Sequence, residues 1–385
     1  MRNFSICDTR WKNRGHELDD IGALCTANTP FYLVGNERES HIFYQEFKNE
    51  ITILNKPEFT TENEAANAPI PGYAAIICVS VERNEYTTYL KQWGAKGFKE
   101  NSTFFQADIF RPVFFAYKYG RIHLDRVEIF TTSYCTLNCK KCIAYIPFFK
   151  KRGHIPLKVL IRDLDLLFEK VDFIYKLKIL GGEGLLYPHL VDYIEYLFEH
   201  YSGRVSSVRI GTNATVIPSQ GVLDVCRRFN VMMDVSDYAL AIPEKCRLDE
   251  VLSLLDKQGV GYAVKRTGEA WLDMGFPDNS PIFSSETEKV DHFHKCAMFC
   301  RDFHDGKLYY CCSNFAAVHS GLFPVNENDY LDFRGEISKK EILEYEVGFS
   351  PLGRTTFCGV CRGCSVEANS THIPVAEQME SLHES

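Results

Sequence analysis

The sequence lacks the features that mark membrane, secreted and nucleic-acid-binding proteins. None of its 385 residues lies in a run that approaches the roughly 20 apolar residues of a membrane helix. The first residues, MRNFSICDTRWKNRG, contain no apolar core of a signal peptide, so we expect a cytoplasmic protein. The formal net charge of −8 argues against nucleic acid as a partner, because such binding draws on a basic surface.

A glycine-rich phosphate-binding turn is also missing from residues 1–122. The alternation of strands (FYLVG, ITIL at 51–54, AAIICVS) with helices (RESHIFYQEF, EYTTYLKQWG) predicts a Rossmann-like α/β domain with a parallel sheet, interrupted by a loop at 62–72. Its first turn, VGNERES, carries only Gly35 and lacks the further glycines that let a backbone approach a pyrophosphate. We therefore do not expect NAD binding here. The twelve histidines fit no zinc hydrolase spacing either.

Two further domains are predicted, at 123–290 and 291–385. The first contains five strands (RVEIFTT, KLKILG, VSSVRIGT, VMMDVS, GYAVKR) separated by four amphipathic helices. Such βα repeats form an open or closed barrel, with the active site beyond the carboxyl ends of the strands. The second has short strands, many cysteines and a polar tail, EQMESLHES, that we expect to fray.

Cysteine, by contrast, is abundant, with fifteen in the chain. Without a secretion signal, clustered thiols predict metal ligands, and an odd total does not suit a complete disulfide framework. Cys135, Cys139 and Cys142 follow directly after the first barrel-type strand. Three thiolates on one short loop suit a face of an iron–sulfur cluster and leave one iron without a protein ligand. A redox carrier would close that position, whereas a catalytic cluster keeps it open; a zinc knuckle is the alternative.

Residues at the next three strand ends are expected at the same edge of the barrel as these cysteines. ILGGEGLL places glycines where a backbone can approach a ligand closely, beside a carboxylate that can accept an ammonium group. RIGTNAT and DVSDY end the third and fourth strands with hydroxyl, amide and carboxyl groups. The candidate residues are Gly181, Gly182, Glu183, Thr212, Asn213, Asp234 and Ser236.

Together, C-x3-C-x2-C, GGE and the strand-end residues resemble the radical S-adenosylmethionine (SAM) superfamily. The resemblance implies a partial (β/α)6 TIM-like barrel and a catalytic [4Fe-4S] cluster whose open iron binds SAM. It implies that Gly182 and Glu183 hold the methionine ammonium, and that the later strand ends contact ribose, carboxylate or substrate. Where the family has proline after GGE, this chain has Gly184. The residue before the third cysteine is Lys141 rather than an apolar one, so Tyr145 is expected to supply the face for adenine.

The second group of cysteines is similar to the SPASM and twitch extensions, which carry auxiliary [4Fe-4S] clusters. Its opening reads C-x9-G-x4-C, with Gly306 as the glycine, and it ends with FCGVCRGC. The resemblance implies one auxiliary cluster on Cys296, Cys311, Cys358 and Cys361. Cys364 competes for a place, Cys300 and Cys312 stay unassigned, and a zinc site from the same thiols is the alternative.

These expectations define an oxidoreductase. SAM would be cleaved reductively to a 5′-deoxyadenosyl radical, which would remove hydrogen from a sugar or sugar conjugate, with a flavodoxin- or ferredoxin-type electron donor. Modification of a peptide or protein is the alternative, and a non-catalytic iron–sulfur carrier or sensor is the second. The auxiliary cluster would accept an electron, stabilise the fold or form a wall of the substrate site, and the sequence leaves these open.

Overall fold

The computed structural model describes residues 23, 29–35, 37–55, 74–79, 83–100, 102–266, 270–296, 300–348, 350–364 and 369–379. The chain divides into two compact units. The first comprises 1–123 with 338–349, and the second comprises 124–337 with 350–385. The loop predicted at 62–72 lies outside the described residues.

The first unit contains a parallel three-stranded sheet in the order β1-β2-β3. Its strands are β1 (Phe31–Gly35), β2 (Ala75–Val79) and β3 (Phe104–Gln106), and they alternate with α1 (Glu37–Phe47), α2 (Arg83–Gly94) and α3 (Ala107–Tyr119). All five residues of β2 are buried, which is typical of a parallel sheet with both faces covered. β1, α1, β2 and α2 correspond to elements that the sequence predicts, whereas β3 and α3 do not.

The prediction of a strand at 51–54 is wrong. Among the described residues, this segment makes a single bridge, between Ile53 and Phe31. The side chain of Asn55 then takes the place of a backbone partner, because it accepts from the Leu33 amide at 2.8 Å and donates to the Leu33 carbonyl at 2.7 Å. The side-chain amide of Asn55 therefore satisfies backbone hydrogen-bonding groups at the edge of β1, where the sequence pattern predicts a neighbouring strand.

The second unit has a parallel-rich central sheet in the order β12-β11-β10-β4-β5-β6-β7-β8. Five strands correspond to the five predicted ones: β4 (His123–Phe130), β5 (Phe173–Leu180), β6 (Val205–Thr212), β7 (Met232–Asp237) and β8 (Tyr262–Arg266). The helices between them are α4 (Leu157–Lys170), α5 (Leu190–Tyr201), α6 (Gln220–Phe229) and α7 (Leu248–Gln258). The pairs β5–β6, β6–β7 and β7–β8 are parallel, so their carboxyl ends share one edge.

No separate compact unit begins at the predicted boundary of 290 and 291, because two sheets include strands from both sides of it. β9 (Ala270–Leu272) pairs with the last strand of the chain, β13 (His372–Pro374), and α8 (Glu286–Lys295) lies between them in sequence. β10 (Arg301–His304) pairs in parallel with β4, and its hairpin continues through β11 (Lys307–Tyr309) to β12 (Tyr330–Asp332). Buried Asp163 of α4 also accepts from the Asp305 amide, at 2.7 Å, which fixes the hairpin turn.

Two late helices complete the fold. α9 (Cys312–His319) belongs to the second unit, whereas α10 (Lys339–Glu346) belongs to the first. A capping box of Ser338 and Glu341 starts α10, and Lys339 donates to the Gly120 carbonyl at 2.8 Å. No helix in the described part of the chain combines the length and the apolar character needed to cross a membrane.

Candidate functional site

The loop with Cys135, Cys139 and Cys142 begins where β4 ends. It is tied to the sheet because the Thr131 amide donates to the Leu180 carbonyl of β5 at 2.8 Å. Burial, reinforced by neighbouring Cys142, raises the pKa of Cys135 to about 12 and that of Cys139 to about 11. Three such thiols become thiolates together only beside a compensating cation, so the donor set fits a bound metal centre.

The three sulfurs of this loop are not as close together as the thiolates on one zinc ion. A tetrahedral zinc ion holds thiolates at about 2.3 Å, which separates the sulfurs by roughly 3.8 Å. Among the described residues, the three sulfurs of this loop do not form a group whose members all lie within 4.8 Å of one another. An iron–sulfur cluster places its ligand sulfurs farther apart, because several irons lie between them.

The GGE segment lies directly against the cysteine loop. The Gly182 amide donates to the Thr132 carbonyl at 2.7 Å, and the Glu183 amide donates to the Tyr134 carbonyl at 2.9 Å. A Cβ atom at Gly182 would lie 2.4 Å from that Tyr134 oxygen and 2.9 Å from the Cβ of Cys135. The absence of a side chain therefore brings the second strand end into contact with the cysteine loop.

Glu183 links the second and third strand ends. Its side chain is 1% exposed, and its two oxygens accept from the Leu185 amide at 3.1 Å and the Asn213 amide at 2.7 Å. Burial raises the pKa of Glu183. Asn213 in turn donates from Nδ2 to the Sγ of Cys135 at 3.5 Å. One chain of contacts therefore runs from the carboxylate through Asn213 to a predicted cluster ligand.

The predicted SAM-binding residues, apart from Tyr145, line one cavity of ≈ 360 Å³, a volume within the range of small-molecule sites. They are Gly181, Gly182, Glu183, Thr212, Asn213, Asp234 and Ser236. Asp234 is partly buried, yet Lys178 at 3.1 Å and Arg209 at 2.9 Å hold its pKa below the ordinary value. Ionised Asp234 is therefore compensated by two cations at this wall.

Tyr145 does not line this cavity, although its neighbours Ile143 and Ala144 do. Its backbone has φ of 51°, and its ring packs edge-on against Phe276 with centroids 4.7 Å apart. The ring is 3% exposed, and its hydroxyl has no hydrogen-bond partner in the structure. The left-handed backbone turns the side chain into the core, so the geometry does not favour the expected role at adenine.

The predicted auxiliary ligands come together in the second unit. Cys296 follows α8, Cys311 precedes α9, and Cys358 lies in the short 3-10 turn Thr356–Gly359, just before Cys361. Burial is the main cause that raises the pKa of Cys358 to about 11 and that of Cys361 still further, with Cys296 adding to both. Cys296 and Cys361 are also electrostatic neighbours of Cys311, so the four thiols lie near one another.

The other three cysteines of the second group lie near these four thiols. Burial and nearby Cys296 raise the pKa of Cys364 to about 11, so Cys364 lies close to the auxiliary group. Cys300 and Cys312 also contact each other, with their sulfurs 2.8 Å apart.

The prediction that the polar tail frays is wrong for residues 377–379. Gln378 donates from its side chain to the Sγ of Cys139 at 3.3 Å. The backbone also pairs, because the Lys140 amide donates to the Glu377 carbonyl at 2.7 Å and the Met379 amide donates to the Asn138 carbonyl at 2.8 Å. Sequence reasoning missed this segment because nothing in its polar composition indicates a partner.

Two buried carboxylates at the cavity wall were also missed. Glu128 is 4% exposed and Asp302 is 1% exposed, and the two face each other on the paired strands β4 and β10. The sequence did hold a signal for Glu128, because it is an acidic residue within the apolar strand segment VEIF. An ionised side chain is seldom buried without a partner, so its position there indicated a functional or paired group.

Comparison with known proteins gives one sequence relative. No protein-family model matches the chain. It is 25% identical over 138 residues to putative protein YfkA of Bacillus subtilis (strain 168). The match covers 33% of this chain and 36% of YfkA, so it spans about a third of the length of that relative.

Several solved structures are similar to the chain. BtrN in complex with AdoMet and 2-DOIA is 19% identical and covers 50% of this chain and 75% of its own, with a TM-score of 0.35. SuiB of Streptococcus suis bound to S-adenosylmethionine is 17% identical, with coverage of 58% and 45% and a TM-score of 0.31. Native anSMEcpe with bound AdoMet is 12% identical, with coverage of 62% and 88% and a TM-score of 0.38. All three structures contain bound AdoMet, which is S-adenosylmethionine. With TM-scores below 0.5, they say nothing further about function by themselves.

Proposed function

We propose that this protein is a radical SAM enzyme. Cys135, Cys139 and Cys142 would hold a [4Fe-4S] cluster, and SAM would occupy the adjoining cavity. The proposal depends on one observation: the three-cysteine loop contacts GGE through Gly182, and both lie at the strand ends that line this cavity. When bound, the cluster and SAM supply a 5′-deoxyadenosyl radical that removes hydrogen from an unactivated carbon.

The chain's own residues would bind and orient the cofactor. The glycines leave room for a ligand against the backbone, and Glu183 holds the GGE and Asn213 segments in fixed register. Asn213 donates to a cluster-ligand sulfur, and such hydrogen bonds influence the reduction potential of a cluster. Apolar side chains of Phe130, Leu180 and Phe315 form part of the cavity wall and limit the access of water.

For the substrate we propose a sugar or sugar conjugate. The cavity wall combines Lys178, Asp234, Ser236 and Lys265, which offer cationic, anionic and hydroxyl groups within one enclosure. Such a mixture suits a molecule rich in hydroxyl groups or bearing phosphate. Peptide or protein modification is the competing class, and it is an outcome of the test below.

The second group of thiols would hold one auxiliary [4Fe-4S] cluster on Cys296, Cys311, Cys358 and Cys361. The electrostatic neighbours of buried Tyr145 include both Cys142 and Cys361, which supports a close approach of the two cysteine groups. A cluster held by these four thiols would supply a one-electron acceptor for a net oxidation of the substrate, and a flavodoxin- or ferredoxin-type protein would be the electron donor for the first cluster.

The test is the formation of 5′-deoxyadenosine by anaerobically reconstituted protein with SAM and dithionite. We expect product from the wild type, and none from a variant in which Cys135, Cys139 and Cys142 are all alanine. Cys226→Ala is the matched control, because that buried thiol lies on α6 outside both cysteine groups. Wild-type protein that binds zinc in place of iron, or makes no product, contradicts the proposal.

The substrate class is tested by deuterium transfer. Candidate deuterated sugars, nucleotide sugars and peptides are incubated with the active enzyme, and deuterium in 5′-deoxyadenosine is measured by mass spectrometry. Transfer from a sugar supports the proposal, whereas transfer only from a peptide replaces it with the competing class.

A further inference from the structure

A third group of metal-ligand side chains adjoins the predicted auxiliary site, because Cys312 directly follows Cys311. One carboxylate oxygen of Glu128 and the sulfurs of Cys300 and Cys312 all lie within 4.8 Å of one another. Among the described residues, no other group of three cysteine, histidine or acidic side chains is this compact. Glu128 and Cys300 are buried and Cys312 is partly buried, so the group differs from an ordinary acidic surface patch.

Asp302 adds a fourth donor from the neighbouring strand. It is paired with Glu128 in the register of β10 against β4, and its side chain is 1% exposed. Its Oδ1 atom has no hydrogen-bond partner in the structure. Glu128, buried beside it, and Cys300 are both among its electrostatic neighbours. A buried carboxylate oxygen without a donor is costly unless a proton or a cation compensates it.

The local charges favour a cation. Two carboxyl groups and two thiols meet here, and Arg126 is the cation that pairs with Glu128. The guanidinium of Arg301 stacks over the ring of Tyr310 at 5.2 Å. The single positive charge of Arg126 does not balance two carboxylates, so a divalent ion would balance the site more completely.

We infer that Glu128, Cys300 and Cys312, with Asp302 as the fourth donor, bind one divalent cation of the zinc type. Two thiolates with carboxylate oxygens form a donor set that zinc accepts in tetrahedral geometry. The sulfurs of Cys300 and Cys312 are 2.8 Å apart, and zinc binding would require them to separate to roughly 3.8 Å. Because Glu128, Asp302 and Cys312 line the main cavity, the bound ion would lie at its wall.

The experiment measures zinc, iron and sulfide in the same sample. Full-length protein is first reconstituted anaerobically with iron and sulfide, so that the iron–sulfur sites are filled. It is then equilibrated with Zn²⁺ and desalted, and its zinc affinity is measured by competition with a fluorescent chelator. We expect about one zinc per chain with full iron, and at least a tenfold loss of affinity in the Cys300→Ala/Cys312→Ala variant.

Conservative variants test the oxygens, and a distant thiol provides the control. Glu128→Gln and Asp302→Asn preserve shape and are expected to weaken zinc binding with iron unchanged. Cys226→Ala is expected to bind zinc like the wild type.

Three results would overturn the inference. The first is iron-replete wild type that binds no zinc, and the second is variants that bind it as tightly as the wild type. The third is loss of iron from the double-cysteine variant with an unchanged circular dichroism spectrum, because those thiols would then be cluster ligands. If the double variant does not fold, Glu128→Gln and Asp302→Asn decide alone.

Discussion

Gln378 donates a hydrogen bond from its side-chain amide to the Sγ of Cys139, 3.3 Å away and 239 positions earlier in the sequence. The contact makes a segment near the end of the chain part of the first cysteine loop. The loop of a predicted catalytic cluster is therefore held both by β5, through the GGE turn, and by residues 377–379.

Replacing Gln378 with leucine removes a donor to a predicted cluster ligand. Hydrogen bonds to ligand sulfur stabilise the reduced, more negative cluster, so we expect the reduction potential of the first cluster to fall. A bond worth about 1 kcal/mol corresponds to a shift on the order of 40 mV for one electron. Redox titration followed by electron paramagnetic resonance measures it. Gln220→Leu, at an exposed glutamine bonded to Asp224, is the control, and equal potentials in both variants would refute the expectation.

Gly182→Ala tests the close packing of GGE on the cysteine loop. The new Cβ atom would lie 2.4 Å from the Tyr134 carbonyl oxygen, so one of the two segments must shift. We expect a loss of about 1–3 kcal/mol in the free energy of unfolding and at least tenfold weaker SAM binding. Chemical denaturation and equilibrium dialysis measure these effects.

Gly203→Ala is the matched control for that variant, because nothing lies within 4 Å of a Cβ atom at Gly203. We expect it to change stability by less than about 0.5 kcal/mol. If both alanine variants behave alike, the close approach at Gly182 is not what positions the loop.

His319→Phe tests the acid sensitivity of the second unit. Burial, with His304 nearby, lowers the pKa of His319 to about 4, whereas an exposed histidine titrates near 6.5. Between these values the unfolded chain binds a proton that the folded chain does not, so the wild type loses stability as pH falls through this window.

Phenylalanine cannot take up that proton, and it suits a site where the ring of His319 already stacks on Phe315 at 5.3 Å. We expect the loss of unfolding free energy between pH 7 and pH 5 to be smaller in the variant, by about 2 kcal/mol at most. Urea denaturation at both pH values measures it. His372→Phe, at an exposed site, is the control, and an unchanged dependence in His319→Phe would contradict the assignment.

The iron content of variants tests which cysteines of the second group are cluster ligands. Two filled [4Fe-4S] sites correspond to about eight irons per chain, and we expect Cys358→Ala/Cys361→Ala to retain about four. Cys364→Ala is expected to keep all of them, although Cys364 lies close to Cys296. If Cys364→Ala loses as much iron as the double variant, then Cys364 is a ligand in place of one of the four proposed cysteines.

The sequence was informative where local pattern decides structure. β6 has the bounds that the sequence predicts, and the GGE, Asn213 and Asp234 positions meet in one cavity. They meet because neighbouring parallel strands end at a common edge, so a motif assigned to a strand end is thereby placed in space.

Features that depend on contacts between residues far apart in the sequence could not be predicted from local patterns. The inward ring of Tyr145 follows from a left-handed backbone that its residue type does not indicate. The register of β10 against β4 is what brings Asp302 to Glu128, and no local pattern specifies that register. Likewise, Asn55 replaces a strand at the edge of β1 through a side-chain bond that hydrophobic periodicity does not detect.

The placement of α10 has a consequence for biosynthesis. The buried face of this helix includes Ile342, Leu343 and Tyr345. Among the described elements of the first unit it is synthesised last, after most of the second unit has left the ribosome. During translation at about 5–20 residues per second, the nascent first unit therefore exposes the surface on α3 that α10 later covers. An excised fragment that stops at residue 123 would retain that exposed surface permanently, so a soluble version of the first unit needs 338–349 joined back to it.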